Sequence, residues 1–381
     1  MTMTRIARAE LYELTLPLVE PFVISGGTIA ERRSLIVVLH DDAGHAGYGE
    51  SPPFDLPFYS EETLTSARDL IGRVLLPRVV NREFADPFPE SVDAILREGV
   101  RGNWFARAGV ETAAWDLEAQ IQGTGLAARL GQRVGATPAS AVDCGVALGI
   151  PPERRADVLT RWVSEAVERG YRRVKIKVAP GWDAVAVRTA RAALAGTKLP
   201  LTVDANGAYE WPRDETALRG LDDAGLLYIE QPLAPDELVG HARLGETLGT
   251  PICLDETLRD ARAARQIISL AGPKVWNIKV HRVGGLSEVC RIYKLAVEYG
   301  AQLWAGTMPE SGIGSQAALA AASLPQFVYP SDLEPSSRWF GRNGDVIKLT
   351  MGKDGRMAVT QQSCGRLLDP GRFRLLTTPV A

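Results

Sequence analysis

No stretch of about 18 uninterrupted apolar residues occurs in the chain, and its opening, Met1-Thr2-Met3-Thr4-Arg5, lacks the apolar segment that a secretion signal needs. The expected location is the cytoplasm, with no membrane partner. An excess of one charge sign is also missing. The formal net charge is −3 and no run of lysine or arginine dominates a segment, which argues against a nucleic-acid or anionic-membrane partner. Paired cysteines are absent too: Cys144, Cys253, Cys290 and Cys364 stand far apart with no CxxC spacing, so they read as small buried hydrophobes and not as a zinc or redox site. What remains is a chain of 381 residues, 45% hydrophobic, long enough for two domains with a large core and suited to small-molecule chemistry.

Residues 5–52 alternate apolar and polar positions in the manner of antiparallel strands, as in Ser34-Leu35-Ile36-Val37-Val38-Leu39-His40. Between 61 and 128 the period lengthens to three or four, clearest in 106–119, so helices follow the sheet. From about residue 140, short apolar runs separated by helical stretches give the pattern of βα units. The runs are 141–149, 173–178, 199–204, 226–230, 252–255, 275–279, 302–305 and 327–329, the number that closes a (β/α)8 TIM barrel. Two more strand-like pieces, 346–351 and 357–360, occupy a tail that is free to return to the first domain. The expected organisation is α/β: an α+β capping domain over 1–130, a TIM-type barrel over 131–330, and a C-terminal segment over 331–381 packing back on the cap. Symmetric assemblies are common for such barrels, so a homo-oligomer is expected.

Charged residues close five consecutive runs: Lys175 with Lys177, then Asp204, Glu230, Asp255 and Lys279. Positions 177, 204, 230, 255 and 279 are 27, 26, 25 and 24 residues apart, one βα unit each. In a barrel the strands are parallel, so their carboxyl ends meet on one rim. A single acid after a strand is most often a helix cap. Five ionisable endings in succession are another matter, because buried charges are costly unless they pair or bind a metal. Three carboxylates suit a small hard cation, Mg2+, which would neutralise a substrate carboxylate and hold the charge formed when the neighbouring C–H bond breaks. Lys175 and Lys177 share a face because strand side chains alternate with period two. Their mutual repulsion is expected to lower the pKa of one toward that of a general base.

In order and spacing, Val174-Lys175-Ile176-Lys177, Val203-Asp204-Ala205-Asn206, Ile229-Glu230-Gln231-Pro232, Leu254-Asp255-Glu256 and Asn277-Ile278-Lys279 resemble the muconate-lactonizing subgroup of the enolase superfamily, along nearly the whole chain. The resemblance implies that Asp204, Glu230 and Asp255 hold Mg2+ (with Mn2+ as substitute). It makes Lys177 and Lys279 the acid–base pair, with Lys175 modulating Lys177, and the substrate a small-molecule carboxylate. Segments 306–314 and 332–340, together with Arg282, look most like the o-succinylbenzoate synthase / N-succinylamino acid racemase family. That likeness implies a dehydration, a racemisation of N-acylated amino acids, or both. A dipeptide epimerase, a muconate-type cycloisomerase and a non-catalytic binding barrel are the alternatives. Asn206, Arg282, Met308, Pro309 and Glu310 would bind substrate, with Phe22, Ser25, Phe54 and Tyr59 covering the mouth from the first domain. Glu334, two residues past Asp332, approaches the paired-acid motif with which dipeptide epimerases hold a substrate ammonium.

Overall fold

The computed structural model describes residues 3–24, 27–341 and 344–380, with the side chains of 22–24, 27 and 28 left aside. Its first sheet is antiparallel. Arg8–Ile24 pairs with Gly27–His40, and that strand with Ala46–Ser51. The run 35–39 is apolar at every position because both faces of the strand are covered. Leu35, Val37 and Leu39 pack on helices through Ile71, Leu75 and Val110. Ile36 and Val38 face Ile313, Val346 and Ile347 from the other end of the chain.

One helix, Trp104–Ile121, is buried along 105–119 and ties the parts together. Strand Ala46–Ser51 lies so close to it that a Cβ on Gly49 would stand 2.2 Å from the Gly109 carbonyl oxygen. Asp116 accepts from the backbone N–H of Tyr48 at 3.0 Å and of Cys364 at 2.7 Å. Glu111 caps the distant helix Leu286–Tyr299, accepting from Leu286 N at 2.8 Å and Ser287 N at 2.6 Å. A carboxyl group there accepts from the free N–H groups that open a helix.

The second sheet is parallel, seven-stranded and in chain order: Gly145–Leu148, Arg173–Lys177, Leu201–Asp204, Ile229–Glu230, Ile252–Leu254, Val275–Ile278 and Gln302–Ala305. Helices between the strands cover its outer face, and the largest apolar cluster lies between the two layers. Among the described residues no helix is long and apolar enough to cross a membrane.

Three expected strands are corrected. The run 141–149 is split: Ala141–Asp143 pairs antiparallel with Arg356–Ala358, and only Gly145–Leu148 enters the parallel sheet. The eighth run, 327–329, makes bridges in place of a ladder, Phe327 with Leu303 and, further on, Ser331 with Cys144. Pro330 lies between them and has no N–H to donate. Residues 346–351 form no strand; Val346 and Ile347 instead pack as side chains on the antiparallel sheet. The tail strand bonded to that sheet is Thr377–Pro379, against Tyr12–Leu14.

At Gly285 φ is +110° and an added Cβ would lie 2.0 Å from Glu111 Oε2. Gly285→Ala is expected to destabilise the protein by about 2–4 kcal/mol, from backbone strain plus displacement of the Glu111 cap. Urea unfolding measures this, and a loss under about 0.5 kcal/mol would show that the cap yields freely.

Candidate active site

Register places the acids. Lys177, Asp204 and Glu230 are neighbours in one row across three strands, since Lys177 pairs with Asp204 and Asp204 with Glu230. The next residue in that row is Cys253, so Asp255 stands two positions further along its strand direction and points to the same face. Lys279 follows Val275, the partner of Cys253, by four residues, an even number that again preserves the face. The stagger of the sheet thus raises the later residues step by step around the rim.

These side chains meet. Carboxylate oxygens of Asp204, Glu230 and Asp255 lie within 4.8 Å of one another, all three residues being buried. Lys177 Nζ donates to Asp204 Oδ2 at 2.6 Å and to Asn206 Oδ1 at 2.7 Å. Lys175 Nζ reaches Asp332 Oδ2 at 2.6 Å, Glu230 Oε2 at 3.0 Å and Asp204 Oδ2 at 3.4 Å. On the far side Lys279 Nζ donates to Asp255 Oδ2 and to Tyr59 Oη, both at 2.8 Å, and sits over the Tyr59 ring. Arg282 pairs with Asp255 and donates to the Asn277 carbonyl at 2.9 Å.

Burial, followed by the neighbouring Asp204 charge, pushes the Glu230 carboxyl above its usual range. Burial also opposes ionisation of Asp204, but Lys177 and Lys175 outweigh it and hold that carboxyl low. A triad of buried acids in which one member is penalised by its neighbour fits a divalent cation, whose charge would relieve that repulsion. The lowering expected from the repulsion of Lys175 and Lys177 is not found at Lys175. Burial alone would lower Lys175, but Asp332, Glu230 and Asp204 outweigh it and the ammonium is stabilised. Lys279 is likewise held above its usual value against burial, by Tyr59, Glu256 and Glu230.

The expected substrate residues divide. Tyr59 and Phe54 pack with Met308, Phe105 and Phe58 in one apolar cluster, and Tyr59 and Arg282 line a cavity of about 370 Å³ with Phe58, Trp104, Glu256 and Arg259. Pro309 is buried. Glu310 is bonded to Thr307 Oγ1 at 2.6 Å and to His281 Nδ1 at 3.1 Å. Burial opposes its ionisation, but the His281 contact outweighs it and holds Glu310 down at about 2. Of Phe22 only the backbone is described, paired with Ile29; Ser25 lies outside the described residues.

Three contributors were missed, and a fourth, Asp332, was noted only within the paired-acid motif. Arg173 is fully buried, bonded to Tyr228 and Asp332 and stacked over Trp304 at 4.5 Å. Its spacing in Arg173-x-Lys175-x-Lys177 already put it on the lysine face. Asn277, two before Lys279, donates to Glu230 Oε1 at 2.7 Å by the same rule. Glu256 accepts from Asn206 Nδ2 at 2.9 Å. Asp332 is bound by Arg173 and Lys175, and no local sequence signal names those partners.

A family model described as Enolase C-terminal domain-like matches residues 158–365, and the mandelate racemase / muconate lactonizing enzyme N-terminal domain matches 8–131. The chain is 40% identical over 361 residues to the o-succinylbenzoate synthase of Bacillus subtilis, covering 94% of this chain and 93% of that one. It is 41% identical over 361 residues to the N-succinylamino acid racemase of Thermus thermophilus, with the same coverage. Among solved structures, an enolase-superfamily member from Listeria innocua superposes with a TM-score of 0.89 at 34% identity, covering 98% of each chain.

Asp332→Asn would leave Arg173 buried without its anionic partner. The expected loss is about 3–5 kcal/mol of folding stability. Guanidinium unfolding tests it, and a loss below about 1 kcal/mol would mean that Tyr228 and Trp304 suffice to hold the guanidinium.

Proposed function

The chain belongs to the mandelate racemase / muconate lactonizing enzyme family of the enolase superfamily, and from that premise we propose that it is a Mg2+-dependent enzyme removing a proton α to a carboxylate. Its reaction is the dehydration that forms o-succinylbenzoate, the racemisation of N-succinylamino acids, or both, carried out in the cytoplasm. The parallel sheet is read as a closed (β/α)8 barrel over 131–330, supported by the bridges of 327–331 to both outer strands. Residues 1–130 are read as its cap, and 331–381 as a segment returning to that cap.

One observation carries the proposal: two lysines from separate strands each touch a different member of the acid triad, Lys177 on Asp204 and Lys279 on Asp255. Asp204, Glu230 and Asp255 would hold Mg2+, or Mn2+ in its place. Bound there, the cation supplies Lewis-acid stabilisation of the substrate carboxylate as its α-proton leaves. A substrate carbon placed between the lysines presents one face to Lys177 and the other to Lys279. In racemisation one lysine takes the proton and the other delivers one to the opposite face. In dehydration Lys177 takes the proton and returns it to the departing hydroxyl, while Lys279 stabilises the developing negative charge. Lys175, held charged by Asp332, is a fixed positive neighbour of Lys177. Arg282, Asn206, Met308, Pro309, Phe54 and Tyr59 shape the space for the rest of the substrate.

The acids of the paired motif speak against a dipeptide epimerase. Asp332 is bound by Arg173 and Lys175. Glu334 accepts from Ala147 N at 3.3 Å and lies 3.4 Å from Arg338 Nε. Each already serves protein cations, which leaves a substrate ammonium without the pair it needs.

In D2O with Mg2+, each enantiomer of an N-succinylamino acid is expected to exchange its α-proton and convert to the other, as followed by NMR. Chelation should abolish exchange and Mg2+ or Mn2+ restore it. Lys177→Ala should lower turnover by about 10²–10⁴-fold. Absence of exchange with every acylated amino acid, together with no dehydration of the cyclohexadiene precursor of o-succinylbenzoate, would sink the proposal.

A further inference from the structure

Among the described residues Glu256 makes no hydrogen bond to the acid triad or to a lysine, yet it is placed at a cost. It is 8% exposed, and burial raises its pKa above the ordinary range. Among the described residues its one hydrogen bond is from Asn206 Nδ2 to Oε1, at 2.9 Å; Oε2 is buried without a partner. The charge of Lys279 offsets part of that cost, but a carboxyl group buried with a single hydrogen bond and one unpaired oxygen is a poor packing solution, since burying polar groups costs more than one such bond returns.

The bond that Glu256 does make has a specific consequence. Asn206 has a donor at one end of its amide and an acceptor at the other, in nearly the same shape. Its backbone is fixed by a φ of +45° and by its N–H, which donates to Asp204 Oδ1 at 3.0 Å. Only rotation of the amide remains free. Turned one way, its oxygen accepts from Lys177 Nζ at 2.7 Å. Turned the other way, its NH2 would confront the ammonium, donor against donor. An acceptor at the far end selects the first orientation.

We propose that Glu256 is a positioning residue that fixes the Asn206 amide with its oxygen toward Lys177, and so sets the direction of the Lys177 amine. The inference rests on Lys177 acting as the base for one substrate face. Held by Asp204 on one side and Asn206 on another, the Nζ has its remaining direction constrained. Without Glu256, Lys177 keeps Asp204 but loses a reliable second acceptor. The hydrogen-bonding effect is confined to one of the two lysines, because Lys279 takes its hydrogen bonds from Asp255 and Tyr59 and meets Glu256 through charge alone.

Reach and charge are separable in the test. Glu256→Gln keeps an acceptor oxygen at the same distance and removes the charge; Glu256→Asp keeps the charge and withdraws the oxygen by one methylene. Lys177→Ala and Lys279→Ala first assign which enantiomer of an N-succinylamino acid loses its proton to which lysine. α-Proton exchange in D2O is then measured separately from each enantiomer. Glu256→Asp should slow exchange on the Lys177 face at least about tenfold, the effect of one mis-set hydrogen bond, with the Lys279 face within about threefold of the parent protein. On the Lys177 face Glu256→Gln should cost at least about threefold less than Glu256→Asp, because it keeps the acceptor oxygen in reach of Asn206. Mn2+ affinity, followed by electron paramagnetic resonance, should be unchanged in both variants.

Equal losses on both faces with Glu256→Asp, a Glu256→Gln loss on the Lys177 face larger than that of Glu256→Asp, or reduced Mn2+ affinity would overturn the inference, because each points to charge or metal retention in place of amide orientation. No change with Glu256→Asp overturns it as well. A parent protein that exchanges neither enantiomer defeats the functional reading itself, and is thereby distinguished from failure of the Glu256 role.

Discussion

Charge balance in a dry rim is the constraint on which the rest of the molecule depends. Asp204, Glu230, Asp255, Glu256 and Asp332 are opposed by Arg173, Lys175, Lys177, Lys279 and Arg282, all buried. Removing any one member leaves an opposite charge without compensation in a medium that solvates it poorly. The surrounding architecture reads as the means of holding that balance. Parallel strands deliver the groups at one end, period-two alternation turns them inward, and stagger spreads them over several levels. Beneath them Trp304 supports Arg173 and Lys175 with its ring face, at 4.5 and 4.7 Å, so the cations rest on a neutral partner that needs no counter-ion of its own.

The rim is completed from outside the parallel sheet. Tyr59, from the loop after the first sheet, supplies an acceptor and a ring face to Lys279. That loop is held by Arg32, whose guanidinium donates to the carbonyls of Pro52, Pro53 and Met308, the last from beyond the final strand of the parallel sheet. Glu50 repeats the connection, accepting from Ser311 N at 3.1 Å and Gly314 N at 2.9 Å. Folding stability and site geometry are therefore linked. The charges that join the first sheet to the second are the ones that place Tyr59 and Phe54 at the edge of the cavity.

The acids and lysines were legible in the sequence because each ends an apolar run, and the arithmetic of βα units turns equal spacing into a shared rim. Arg173 and Asn277 obeyed the same alternation and needed only to be read two residues earlier. Strand bounds were less legible where local apolarity misled. Residues 141–149 look continuous but change partners at Cys144, and 346–351 are apolar for side-chain packing without a ladder. Glu310 illustrates a different limit. It follows Met308 and Pro309 in a segment expected near the mouth, yet its carboxylate is taken by Thr307 and His281. Asp332 with Arg173, and Glu256 with Asn206, are pairings between segments far apart in the chain, and no local pattern encodes them.

The division between the two parts of the site also explains why reaction type and substrate were not equally legible. Proton removal depends on the rim, where every position is constrained by several charged neighbours and substitution is penalised by uncompensated burial. On the proposed function, recognition of the distal part of the substrate would fall to the cavity between Tyr59, Phe58, Trp104 and Arg259, where the contacts are apolar or open to solvent. There, among the described residues, Arg259 has an ion pair only with the exposed Glu61, at 3.7 Å, a pair of the kind that contributes little to stability. A wall built in that way can change shape or charge without disturbing the balance beneath it. On the proposed function the same rim would serve different carboxylates, and the loop of residues 54–61 would be where the choice among them is made.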